Sequence, residues 1–261
     1  MGLFFWKKKL DDETVESARR IAKIRKQGGA TYSAERPITR AFGDMIKNQR
    51  NKSDDVLKFI SIIRAQIPPK NDNLQDIVEQ FDSQEMNMDR LHLAIQREKK
   101  TINDMKEMQK KLTVWNNGFA VIMKRNLKEI NDHKTELGRQ KAEARKKGWE
   151  PKDYSHIISQ LDDEATAIKK LMTDVEGLTT AFNTLHDELN RLETAQINTF
   201  VKIGYAYTQA KENNKAEVLD ELSDAETLEL DAKRLEKDML DIMQQVNAII
   251  NLERKDIRNA R

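Results

Sequence analysis

Apolar residues recur at heptad spacing from residue 74 to residue 147, with no proline between them. Leu74, Phe81, Met88, Ile95, Ile102, Met123, Ile130 and Leu137 fall on one track, and Ile77, Leu91, Met105, Leu112 and Phe119 on its partner. Two such tracks define a coiled-coil seam. The pattern predicts one helix over 74–147, a rod about 110 Å long if it is continuous at 1.5 Å per residue. Gln84, Glu98, Gln109, Asn116, Asn126 and His133 interrupt the seam with polar side chains, which can set register and partner number at a cost in stability. Gly118 and Gly138 lie inside the same stretch, where glycine costs about 1 kcal/mol relative to alanine, and are expected to mark bends or close helix contacts.

A returning helix is predicted over 152–215, with Leu161, Ile168, Val175, Phe182 and Leu189 on one track and Ile157, Leu171, Leu178, Leu185 and Leu192 on the other. The apolar positions resume at Phe200, Ile203, Tyr207 and Ala210. The step from Leu189 to Phe200, like that from Leu192 to Ile203, is eleven residues. That step reads as a four-residue stutter, where left-handed supercoiling relaxes and the rod straightens or bends. Residues 211–215, KENNK, form either a turn or a polar stretch of one helix. A further helix is predicted over 216–258, with Val218, Ala225, Ala232, Met239 and Val246 beside Leu228, Leu235, Ile242 and Ile249. Ahead of the rod, Pro37 opens a helix over 37–66 with Ile38, Phe42, Met45, Val56, Phe59, Ile60 and Ile63 inward. Its middle, Asn48 to Asp55, is polar, and Ser53 is placed to cap a restart, so one bent helix or two short ones are both open. Pro68 and Pro69 stop it.

Composition agrees with this pattern. The 261 residues are 38% hydrophobic and 34% charged, with four prolines, a balance that favours long amphipathic helices over sheets. The fold class expected is all-α: an elongated antiparallel coiled-coil bundle of three long helices, dimeric or polymeric, because a single layer of helices buries little of each residue. Residues 1–35 form an amino-terminal amphipathic basic segment and linker, and 36–261 the helical domain.

The net charge of +2 conceals an uneven distribution. Residues 1–70 carry sixteen Lys or Arg against eight Asp or Glu, and residues 211–261 carry nine against thirteen. With no cysteine, disulfides and thiol catalysis are ruled out. No stretch approaches the roughly 20 apolar residues of a transmembrane helix, and the run Leu3 to Trp6 is too short for a signal peptide. A cytoplasmic protein, peripheral at the inner face of a membrane, is expected.

The first ten residues, MGLFFWKKKL, set Leu3, Phe4, Phe5 and Trp6 directly before Lys7, Lys8 and Lys9. Aromatic rings suit the acyl boundary of a bilayer and lysines suit its phosphates, so this segment reads as a membrane wedge. The same residues would also serve to dock on the chain's own core or on a partner protein. Trp6 stands where a myristoylation motif requires Ser or Thr, so Gly2 is not read as a lipidation site. Residues 11–27 are expected to form a basic amphipathic helix, with Arg19, Arg20 and Lys23 among the cations around its apolar stripe, which reads as a membrane-surface or partner-binding helix or else as a solvated helix packed on the bundle. Between the two long helices, RQKAEARKKGWEPK brings Arg139, Lys141, Arg145, Lys146 and Lys147 together around Trp149 at a hairpin tip marked by Gly148 and Pro151. Trp149 there is either a second membrane contact or a cap packed on the two helices it joins.

Chemistry beyond binding is not expected. His133, beside Asp132 and Glu136, is the best of four scattered histidines as a metal ligand, and none of the four has a second ligand at i+3 or i+4 that makes a convincing metal pair. No phosphate loop, nucleophile motif or cofactor fingerprint stands in the sequence, so neither an enzyme nor a cofactor is expected.

An apolar and basic amino-terminal segment followed by three long helices resembles the N-BAR class of membrane-curving proteins. The resemblance is architectural and implies two chains paired antiparallel, with Lys7, Lys8, Lys9 and the 139–152 tip against lipid. The first helix is shorter here than the hairpin arms. The opening MGLF also resembles some ESCRT-III proteins, and the amphipathic amino terminus with a basic helical hairpin resembles ESCRT-III and phage-shock-protein-A scaffolds, which polymerise on membranes. Both resemblances imply a non-enzymatic scaffold that binds and shapes anionic membranes as a homo-oligomer. The alternative is a coiled-coil spacer or adaptor that binds other proteins. Nucleic acid is the weakest partner, given the balanced charge.

Overall fold

Three helix ends in this chain are made by one backbone device. The computed structural model describes residues 37–67, 73–151 and 153–259, with side chains as far as Ile250. At Glu85 (φ 55°), Gly148 (φ 66°) and Asn213 (φ 59°) the chain enters the left-handed region, and the next amide reaches back to a carbonyl of the last helical turn. The bonds are Met86 N–H to Phe81 O at 2.8 Å, Trp149 N–H to Ala144 O at 2.9 Å and Asn214 N–H to Gln209 O at 2.9 Å. These bonds satisfy carbonyls that a helix end leaves orphaned.

The turns divide the described residues into five helices and no strand: α1 (37–66), α2 (Gln75–Ser83), α3 (Met88–Lys146), α4 (Ser155–Lys211) and α5 (Lys215–Asn259). The fold is all-α. The stretch 74–147 is therefore two helices, interrupted at 84–87. Glu85 supplies the left-handed residue, and Asn87 then caps α3 by accepting a 3.2 Å bond from the Arg90 amide. KENNK is likewise a turn, in which the Asn213 side chain accepts the Leu74 amide at 2.9 Å and so pins the start of α2. Gly118 and Gly138 mark neither a break nor a close contact. Helix α3 runs through both, and nothing lies within 4 Å of where a Cβ would stand.

The chain forms two compact units. One comprises 37–112 and 181–246; the other includes 113–180 and 247–259. In the first unit, ion pairs fix the helix directions: Arg64 with Glu226 and Lys233 with Asp54 join α1 to α5, Lys106 with Glu193 joins α3 to α4, and Lys202 with Glu221 joins α4 to α5. Helices α1 and α4 run one way, α3 and α5 the other. At one end α2 closes an apolar cluster that includes Phe59, Ile63, Phe81, Leu91, Ile203, Tyr207 and Leu222. Its rings meet edge to face, Phe59 to Phe81 at 5.5 Å and Phe81 to Tyr207 at 5.6 Å, an arrangement aromatic quadrupoles favour.

The second unit contains the α3–α4 hairpin, paired antiparallel by Asn116 with Thr179, Lys134 with Asp162 and Gln140 with Tyr154. Asn116 also donates to the Val175 carbonyl at 3.1 Å, which shows how a polar seam position is accommodated: it binds the facing backbone. Glu98, Gln109, Asn116 and Asn126 are all buried, as seam positions should be, whereas Gln84 is exposed in the α2–α3 turn and His133 is half-buried.

Candidate functional site

Each unit holds one concentration of chemistry. The first, in the hairpin unit, is the tip that the charge pattern singled out. Gly148 turns the backbone so that Trp149 is left 52% exposed. Lys147 Nζ stands 5.2 Å from its ring centroid, within cation–π range. Buried Tyr154 closes the hairpin instead, its hydroxyl donating to Gln140 Oε1 at 3.1 Å. Arg145, Lys146 and Lys147 are exposed and Lys141 is half-buried. Arg139 is exposed but engaged within its own helix, donating to Glu136 at 2.8 and 2.9 Å and to Glu143 at 3.0 Å. Those bonds from Arg139 hold the Glu136 carboxyl below its ordinary range. The outward cations of the tip are thus Arg145, Lys146 and Lys147. Leu3, Phe4, Phe5, Trp6, Lys7, Lys8, Lys9, Arg19, Arg20 and Lys23 lie outside the described residues. Among the described residues no group of three or more His, Cys, Asp or Glu is placed to hold a metal ion.

The second concentration lies inside the other unit, mostly at positions that an apolar heptad pattern passes over. On α1 the buried residues Thr39, Phe42, Ile46, Gln49, Ser53, Val56, Ile60 and Ile63 follow alternating steps of three and four, with Phe59 buried beside them. The helix is continuous, and its polar middle supplies two seam residues where a restart had been an option. On α4 the buried sequence Leu189, Leu192, Gln196, Thr199, Ile203 keeps the same steps. There is no stutter: polar residues carry the seam across the apparent gap. On α5 the buried track beside Val218, Ala225, Ala232, Met239 and Val246 is Leu222, Glu229, Glu236, Met243 and Ile250; of the apolar track the sequence suggested, one residue away, Leu235 is buried and Leu228, Ile242 and Ile249 are half-buried. Helix α3 adds Glu98.

These residues form one layer. Gln49 Nε2 donates to Gln196 Oε1 at 2.7 Å, Gln196 Nε2 donates to Glu236 Oε1 at 3.2 Å, and Ser53 Oγ donates to the same oxygen at 2.8 Å. Lys52 Nζ approaches Glu98 Oε2 at 3.4 Å from a half-exposed position. Glu98 Oε1 and Glu236 Oε2 are buried with no hydrogen-bond partner. A buried carboxylate without full compensation is costly, so burial favours the neutral acid. Burial pushes Glu229 up to about 7 and Glu236 up to about 8, and it raises Glu98 against the pull of Lys52. Ser53 and Thr199 pull Glu229 the other way, but burial outweighs them. Their hydroxyl protons are committed, to Glu236 Oε1 and to the Ala195 carbonyl.

No family model, curated protein or solved structure matches the chain.

Proposed function

We propose that this protein is a non-enzymatic helical scaffold that binds and shapes anionic membranes from the cytoplasmic side. The observation that carries the reading is Trp149: a large amphipathic ring held outward by a rigid turn, among Lys147, Lys146 and Arg145. Indole rings partition to the bilayer interface, and each cation near an anionic surface contributes about 1 kcal/mol. The amino-terminal run Leu3 to Lys9 offers a second contact of the same chemistry. Among the described residues no helix is long and apolar enough to cross a membrane, so attachment in this reading is peripheral. The functional form is a homo-oligomer, an antiparallel dimer or a polymer.

A protein-binding spacer is the second reading, favoured by Val114 and Val121. They stand one heptad apart on α3 and are 65% and 67% exposed, as an unpaired seam would be.

Co-sedimentation with anionic and neutral vesicles tests the first reading on the intact chain, a chain lacking residues 1–10, and a Trp149→Ala/Lys146→Glu/Lys147→Glu variant. Anionic-selective binding weakened in both variants, with vesicles drawn into tubes, is expected. No binding by the folded intact chain leaves the spacer.

A further inference from the structure

Helix α1 is joined to the other helices of its unit by side chains that end in the buried layer. Gln49 reaches Gln196 on α4, Ser53 reaches Glu236 on α5, and Lys52 reaches Glu98 on α3. Its outer attachments are the ion pairs Asp54 with Lys233 and Arg64 with Glu226. Helix α1 spans 37–66, whereas α3, α4 and α5 run for 59, 57 and 45 residues and continue into the other unit. Of the four helices that meet in the layer it is the shortest, and beyond these polar contacts it is held by the buried side chains Phe42, Ile46, Val56, Phe59, Ile60 and Ile63.

The layer is short of positive charge. The groups facing Glu236 are Ser53 and Arg50 from α1, Glu98 from α3, Gln196 from α4 and Glu229 from its own helix. Those facing Glu229 are Ser53, Thr199 and Glu98. Glu98 is faced by Lys52 and Gln49. Helix α4 contributes no charge among these groups, and the cations Lys52 and Arg50 both lie on α1 at its exposed margin. Three buried carboxyls can be tolerated while neutral; three anions cannot, unless water enters.

We propose that this layer is a proton-operated latch: with Glu229 and Glu236 protonated α1 is seated on α3, α4 and α5, and their ionisation releases it. Release hydrates the carboxylates, including the orphaned Glu236 Oε2 and Glu98 Oε1. The sign follows from linkage. Hydrated glutamates titrate at the ordinary value of 4.5, and the seated ones near 7 and 8. Between those values the seated form holds more protons, so its stability falls as pH rises, from a maximum below 4.5 to a floor above about 8. The latch stands independently of the membrane reading.

Amide hydrogen exchange on the full chain, corrected for intrinsic rates, tests it. From pH 6 to pH 9 the protection of 37–66 is expected to fall tenfold or more and to recover on return, while protection around 160–180 stays level. In the Glu229→Gln/Glu236→Gln variant, a permanent mimic of the neutral acids, protection of 37–66 stays level too. Equal pH response in wild type and variant, or a flat wild-type profile, overturns the proposal. Should the double variant misfold, Glu236→Gln alone carries the test, and a wild-type response undiminished in it is equally fatal.

Discussion

Ser53 and Glu236, 183 positions apart in sequence, share a 2.8 Å hydrogen bond in the middle of a helical core, with Glu236 wholly removed from solvent. Ser53→Ala leaves one Glu236 oxygen with Gln196 alone. The cost expected is about 1–2 kcal/mol, the usual penalty for a buried group that loses its partner. Urea unfolding at pH 6 would show it as a lower midpoint with unchanged slope. The slope matters because a change in it would signal a change in the unfolded or folded ensemble rather than a lost bond.

Glycines in α3 make the opposite case. Gly118→Ala and Gly138→Ala meet nothing within 4 Å, so each is expected to raise stability by about 1 kcal/mol through helix propensity alone. Their effects should add, since the two sites share no neighbour. Thermal melts of the single and double variants decide it, and a loss of stability in either would mean that the glycine serves a contact with another molecule.

The three left-handed turns should respond to substitution according to what each residue tolerates. Gly148→Ala is strained at φ 66° and loses about 1 kcal/mol, whereas Glu85→Gly gains up to about the same by relieving a conformation that L residues avoid. Asn213→Gly keeps the backbone but loses the acceptor for the Leu74 amide, so protection of that amide should fall while the α4–α5 turn persists. NMR exchange at Leu74 reads this directly.

Trp149 offers an optical test of the tip. In a chain carrying Trp6→Phe and Trp115→Phe, emission should be red-shifted and readily quenched by acrylamide, as suits a ring 52% exposed. Addition of anionic vesicles should shift it to the blue and protect it. Unchanged emission in the presence of bound vesicles would assign contact to the amino-terminal segment instead.

The helical class and the hairpin tip were legible because both are written in residue types that announce themselves: apolar side chains at heptad steps, and cations around Gly148 and Trp149. The α2–α3 interruption was not, because its left-handed position is Glu85, where glycine would have been the signal. The buried layer escaped for a related reason. An apolar template skips Gln49, Ser53, Gln196 and Thr199, and it moves the α5 track onto Leu228 and Ile242 to avoid Glu229 and Glu236. Seam arithmetic that ignores polarity recovers the buried tracks of α1, α3, α4 and α5, since the three-and-four steps pass through the polar residues unbroken. Glu98, Gln109, Asn116 and Asn126 stand on such steps in α3. What the steps alone could not say is that polar positions on α1, α3, α4 and α5 fall at one level.

The layer also constrains the order of events as the chain is made. Helix α1 leaves the ribosome before its partners, since that of Gln49 lies 147 residues on and that of Ser53 lies 183 residues on. The α3–α4 hairpin closes on much shorter loops, Gln140 meeting Tyr154 only 14 residues later. Contacts near in sequence form ahead of distant ones because less chain entropy is lost. Until α4 and α5 have been made, then, the polar side chains of α1 remain in water, and the dehydration of Glu229 and Glu236 waits for α1 to meet them.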